Sequence, residues 1–170
     1  MLHLLFLAAT AAGLAACTST PPVPESLAPG ADQALAMTLS ARGVQVYACR
    51  ARADGPGHAW SFVAPDAELL DAFARPVGTH GAGPFWQAAD GSRVVGTVQA
   101  RADAPVSGAI PWLLLATKST GPDGTFSRVT AIQRVNTAGG AAPTAPCTEA
   151  LLGRSVRVPY TADYRFFTPR

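Results

Sequence analysis

Charge is scarce in this sequence: Lys, Arg, Asp and Glu make up 14% of 170 residues, and the formal net charge is only +2. With 48% of residues hydrophobic, the chain lacks the low hydropathy and high charge of a disordered protein. The small, dispersed positive balance leaves no electrostatic footprint for nucleic acid, so no nucleic-acid partner is expected. Lysine is represented by Lys118 alone, which leaves Schiff-base chemistry a single candidate near a turn. Histidine is nearly as rare. Beyond the first seventeen residues only His58 and His80 remain, with no H-E-x-x-H spacing, so neither a metal site nor a cofactor is expected. A G-x-S-x-G elbow, a Walker loop and an acidic calcium loop are also missing, and nothing selects a glycosidase pair from the eleven acids. No motif names a catalytic residue.

The longest apolar run lies at the start. Leu4 to Ala16 is almost continuously apolar yet shorter than the ~20 residues that cross a bilayer, and it reads as the h-region of a secretory signal. It ends in Leu14-Ala15-Ala16-Cys17, which resembles the lipobox of bacterial lipoproteins. That resemblance implies cleavage after Ala16, lipidation of Cys17 and attachment to a membrane through the N-terminal lipid. Ordinary cleavage after Ala15, with Gly13 two residues before it, is the alternative. Thr18 rather than Asp follows Cys17, which in such lipoproteins implies the outer membrane, with the protein facing the periplasm. Of the three cysteines, removal of Cys17 leaves Cys49 and Cys147, a pair expected to form a disulfide in an oxidising compartment. Two separate buried thiols are the alternative. The Pro-rich run from Thr18 to Ala31 favours neither helix nor sheet and reads as a tether. The expected organisation is a signal peptide over 1–16, a lipid-anchored tether over 17–31 and one domain over 32–170.

Within that domain the hydrophobic pattern has mostly period two. Leu35, Met37 and Leu39 suggest a strand, with an Ala-rich helix over 32–40 as the alternative, and Val44, Val46 and Ala48 suggest a second strand after a turn at Ser40–Gly43. Trp60–Ala64 reads as a third strand, and Pro65–Asp71, with its acidic first turn, as the start of a short helix. Phe85–Ala88 and Arg93–Arg101 flank Asp90-Gly91, a strong hairpin signal. Val94, Gly96, Val98 and Ala100 then face one way, and Arg93, Thr97, Gln99 and Arg101 the other. Ala109–Ala116, apolar on both faces, reads as a fully buried strand. Phe126–Val135, Val156–Val158 and Tyr164–Thr168 complete the set, the last as an edge strand. About eight or nine short strands separated by Gly and Pro predict an all-β, single-domain antiparallel sandwich or barrel with at most one short helix. At least two of Trp60, Trp86 and Trp112 are expected in its core.

Several blocks occur in a specific order. They are Gly43-Val44-Gln45-Val46-Tyr47-Ala48-Cys49, Gly78-Thr79-His80 with Gly83-Pro84-Phe85-Trp86, Asp90-Gly91-Ser92, Ile110-Pro111-Trp112-Leu113-Leu114, Ile132–Thr137 with Gly139-Gly140, and Val158–Tyr164. Together these blocks, spread from Gly43 to Phe167, resemble the domain-of-unknown-function family 3455. The resemblance implies a secreted protein and brings no activity with it. A dehydrogenase label attached to some fungal members of that family finds no G-x-G-x-x-G here.

The remaining functional signal is local. Three glycines around His80, in Gly78–Pro84, predict a loop that displays this histidine at a strand end. A binding site built there would use His80 as the polar group and Trp86 as an apolar wall, with Gln133, Arg134 or Asp163 as polar partners; the alternative is that His80 hydrogen-bonds a backbone carbonyl to hold the turn and Trp86 belongs to the core. The expected role is a binding or envelope accessory module for a small molecule or an envelope protein. The alternative is a small hydrolase or other enzyme using His80 on this Gly-rich loop.

Overall fold

A computed structural model describes residues 21–170. The signal and lipobox expectations, Cys17 included, fall outside the described residues. Eight antiparallel strands run in chain order around a closed barrel: β1 Gln33–Ala51, β2 His58–Leu70, β3 Pro76–Gly81, β4 Phe85–Ala88, β5 Arg93–Ala102, β6 Trp112–Ser119, β7 Ala131–Gly139 and β8 Ser155–Pro169. Each pairs with its neighbour in sequence, and β8 closes the ring on β1. Closure removes every sheet edge, so Tyr164–Thr168 is no edge strand.

The barrel is built from fewer and longer strands than the turn signals suggest. Ser40–Gly43 does not interrupt β1. Gly43 lies opposite Ala67 in the ladder, where a Cβ would run into the Asp66 carbonyl oxygen and the Ala67 Cα, so glycine permits a close approach of the two paired strands and makes no turn. The helix expected from Pro65 is likewise strand, since β2 continues to Leu70. Pro65 follows a bulge at Val63, where the ladder is already broken and a missing N–H is tolerated. Gly78–Gly81 is part of β3, so the expected loop shrinks to a tight turn before β4. Phe126–Thr130 precedes β7, which begins at Ala131 and runs on to Gly139, and Val156–Val158 joins Tyr164–Thr168 in the single strand β8.

The two faces of β6 explain its unbroken apolar run. Leu113 and Leu115 line the barrel interior, whereas Trp112 and Leu114 face outward into a second cluster with Leu27, Val135, Ala100 and Val23. Leu27 is fully buried at the end of a single 3-10 turn, Glu25–Leu27, and its carbonyl accepts a hydrogen bond from Gln133 Nε2. The last residues of the expected tether are thus part of the folded unit.

One end of the barrel is packed shut. It carries the β2–β3 turn, the β4–β5 hairpin and the β6–β7 loop, and it is filled by Leu39, Leu69, Val94, Val129, Ile132 and the stacked pair Phe126 and Phe166, whose centroids are 4.7 Å apart. Asp90 ties this end together. Its Oδ1 accepts from the Ser92 amide and hydroxyl, and its Oδ2 from the amide and hydroxyl of Thr125 across the barrel end. The Asp-Gly hairpin signal holds, and its aspartate also anchors the β6–β7 loop. At the opposite end a disulfide joins Cys49 of β1 to Cys147 in the β7–β8 connection.

Candidate functional site

The end carrying the disulfide is hollow. A cavity of about 500 Å³ opens there, lined by Gln45 and Tyr47 of β1, Phe62 of β2, His80 of β3, Trp86 of β4 and Arg134 of β7, with Tyr164 of β8 and aliphatic side chains of β6 completing the wall. Strand parity places them. Leu39, Ala41, Gly43, Gln45 and Tyr47 all point inward from one uninterrupted strand, so the polar and aromatic members of the Val44–Ala48 alternation face the interior. Tyr160, Ala162, Tyr164 and Phe166 do the same on β8.

Two bulges shape the mouth. The extra residue Val63 in β2 brings both Phe62 and Val63 to the cavity, and the ring of Phe62 packs edge-on against Tyr47 at 5.8 Å between centroids. In β5 the register shifts between Val98 and Ala100, so Gln99 is the extra residue. Beyond that point the facing reverses: Ala100 packs on the outside against the Leu27 cluster and Arg101 turns to the cavity rim. The alternation read from sequence therefore holds for Val94 to Val98 and inverts at Arg101.

His80 lies in the cavity floor and is 3% exposed. It stacks on Trp86 at 4.4 Å between centroids and meets the Tyr164 ring edge-on at 5.0 Å. Its Nδ1 is 2.7 Å from the Phe85 carbonyl oxygen. A carbonyl only accepts, so Nδ1 carries the proton and Nε2 is the acceptor nitrogen. Burial pushes its pKa down to about 3 against the hydrogen bond to Phe85, and nearby Arg134 pushes the same way, so the ring is neutral at physiological pH. Burial likewise raises the Tyr160 and Tyr164 hydroxyls, which remain protonated and lie 3.4 Å apart. Room for the Trp86 ring comes from Gly96 on β5, where a Cβ would lie 2.8 Å from its Cζ3. Arg134 is half-buried, with its Nε–H donated to the Pro111 carbonyl at 3.0 Å, and Tyr47 donates its hydroxyl to Gly140 O at 2.7 Å.

Of the residues singled out from the sequence, His80, Trp86 and Arg134 come together in this cavity. Gln133 and Asp163 do not. Gln133 holds the N-terminal segment from outside the barrel, and Asp163 accepts from Asn136 Nδ2 at 2.8 Å and from Ser40 Oγ. Gln45, Tyr47, Arg101 and Tyr164 were not singled out. Parity along an unbroken β1 and β8 is the signal that finds three of them; Arg101 depends on a bulge that leaves no such trace. Among the described residues no group of three or more His, Cys, Asp or Glu is placed to hold a metal ion.

The family profile described as "Protein of unknown function (DUF3455)" matches residues 29–168. The chain belongs to the DUF3455 family. No curated protein and no solved structure matches it. In this DUF3455 domain, the matched region covers β1 to β7, β8 as far as Thr168, and every cavity residue named above.

Proposed function

We propose that this DUF3455 domain is a binding module of the cell envelope that takes a small, largely apolar molecule into the open end of its barrel. The observation that carries the reading is the cavity itself. A hollow of about 500 Å³ falls in the range of small-molecule sites, and its wall is mainly aromatic and aliphatic with a few convergent polar groups. An eight-stranded barrel can either fill its interior with side chains or hold one small ligand. This one does the first at one end and leaves the other hollow. The hydrolase reading is weaker on the same ground. His80 is neutral and has an acceptor nitrogen, yet the lining contains no Ser, Thr or Cys nucleophile and no carboxylate to orient the ring.

Neutral N-phenylnaphthylamine tests the binding reading. In detergent-free protein it should bind at one site per chain with enhanced, blue-shifted emission, and it should raise Tm. Leu113→Trp, which places a larger ring in the cavity, should abolish the signal while unfolding stays cooperative. Binding that survives this substitution would put the probe elsewhere on the molecule and reject the cavity as its site.

The envelope address is supported by the apolar run Leu4–Ala16, the lipobox-like Leu14–Cys17 and a disulfide suited to an oxidising compartment. Lipidation of Cys17 would anchor the domain to the outer membrane, facing the periplasm, since several acyl chains bind far more firmly than one. Cys17→Ser should move the protein from the membrane to the soluble fraction and remove the acyl mass. A wild-type protein already soluble and free of acyl mass would refute the anchor.

A further inference from the structure

The cavity wall is rich in hydrogen-bond donors and holds no anion. Arg134 lines it half-buried, and neither Asp nor Glu is among the lining residues. A guanidinium withdrawn from water is ordinarily paired with a carboxylate. The three ion pairs among the described residues, Arg52 with Asp54, Arg75 with Asp71 and Arg157 with Asp66, leave Arg134 out. Its hydrogen bond to Pro111 O fixes the guanidinium through Nε, one of five N–H donors.

One further donor points to the same need. Gln45 is 2% exposed and its Nε2 makes no well-formed hydrogen bond. Buried donors are nearly always satisfied, and here the nearby acceptors are neutral, the Tyr160 hydroxyl beside Gln45 and the Tyr164 hydroxyl beside Arg134, so the site has room for a charged acceptor that its lining does not supply. Arg101, at the rim, adds a second positive charge along the approach, with Asp103 beside it in the outer vestibule.

We infer that the ligand carries a carboxylate head, held by the Arg134 fork and the Gln45 amide, with its apolar body against Trp86, Leu113 and Leu115. This assignment rests on the reading of the barrel as a binding module. A planar carboxylate matches the guanidinium fork, and a fixed donor pair recognises it more strongly than a neutral hydroxyl because the hydrogen bonds are charge-assisted.

The test is a comparison of heads on one chain length, with affinities measured by displacement of N-phenylnaphthylamine. Dodecanoate should bind at least about tenfold more tightly than dodecanol. Arg134→Gln should weaken dodecanoate by about ten- to a hundredfold with little change for dodecanol, and Arg134→Lys should restore part of the loss. Because Arg134 also holds Pro111, Gln45→Leu serves as the second variant. It should weaken dodecanoate while leaving the unliganded Tm unchanged or higher, since it removes a buried polar group without a well-formed hydrogen bond. Equal affinity for the two heads, or a dodecanoate affinity untouched by both Arg134→Gln and Gln45→Leu, overturns the carboxylate assignment and leaves the binding reading in place. If N-phenylnaphthylamine, dodecanol and dodecanoate all fail to bind, the binding reading falls, and the carboxylate with it.

Discussion

The two ends of the barrel are made from the same eight strands and differ in what the connections contribute. At the closed end the β6–β7 loop folds Phe126 and Val129 into the interior, and Asp90, itself held within the β4–β5 hairpin by two hydrogen bonds from Ser92, fastens that loop through two more from Thr125. At the open end the connections form a rim. The β3–β4 turn contributes Gly83 and Pro84 and the β5–β6 loop contributes Ile110 and Pro111, while the β7–β8 loop is tied to the end of β1 by the disulfide. The difference teaches where stability and function reside: one end supplies the packed core that folds the barrel, and a covalent bond compensates at the other for the core it lacks.

That division is most directly broken at Phe126. Its side chain is fully buried and stacked on Phe166, so Phe126→Ala removes a large apolar group and leaves a void at the closed end. A loss of about 3–5 kcal/mol is expected in urea unfolding. The affinity for N-phenylnaphthylamine should stay close to wild type, because the cavity lies at the other end. A large loss of affinity would show that the two ends are not independent.

The disulfide sharpens the comparison from the opposite side. Cys49 and Cys147 are 98 residues apart, and closing a loop of that length restricts the unfolded chain substantially. Cys147→Ala should cost about 2–5 kcal/mol of stability. Unlike the change at Phe126, it should also alter ligand binding, because the β7–β8 loop would lose its covalent hold beside Tyr47 and Gly140. An affinity unaffected by Cys147→Ala would detach the disulfide from the shape of the mouth.

The closed end was the more legible from sequence. Asp90-Gly91 announces its hairpin, and the alternation of Val94, Gly96 and Val98 gives the inward face of β5 correctly. The open end was obscured by features with opposite meanings in different settings. Gly43 reads as a turn when taken alone, yet it is the point where β1 and its paired neighbour β2 approach closely for lack of a Cβ. Once β1 is cut there, Gln45 loses its phase with Leu39 and Ala41 and passes for a surface residue. Glycines around His80 suggest a displayed loop, whereas His80 sits deep in the floor because β3 runs through them. Bulges at Val63 and Gln99 depend on the pairing of distant strands, so no local pattern places Arg101 at the mouth. What the sequence did disclose of the site were the less common residue types: a histidine, a tryptophan and an arginine within otherwise apolar segments.

The remaining effect vanishes at neutral pH, where it is the smallest of the three, and concerns the floor of the hollow end. His80 is held neutral because a charged imidazole is poorly solvated there, and its pKa falls from the ordinary 6.5 to about 3. Above pH 6.5 both folded and unfolded chains carry the neutral ring, and His80 contributes nothing to the pH dependence. Between 6.5 and 3 the unfolded chain binds a proton that the folded chain refuses, so stability declines as pH falls, by about 1.4 kcal/mol per unit and roughly 3 kcal/mol by pH 4. The closed end responds in a lower window. Hydrogen bonds from Ser92 and Thr125 hold the Asp90 carboxyl well below the usual carboxylate range, so its contribution is lost only as pH falls below its ordinary 3.8. Urea midpoints measured from pH 7 to 4 should therefore fall steadily in the wild type and much less in His80→Phe, which keeps an aromatic ring on Trp86. Asp90→Asn should leave the slope in that range unchanged. An equal slope in wild type and His80→Phe would mean that the imidazole gains its proton without opening the barrel, and that the floor of the cavity is wet.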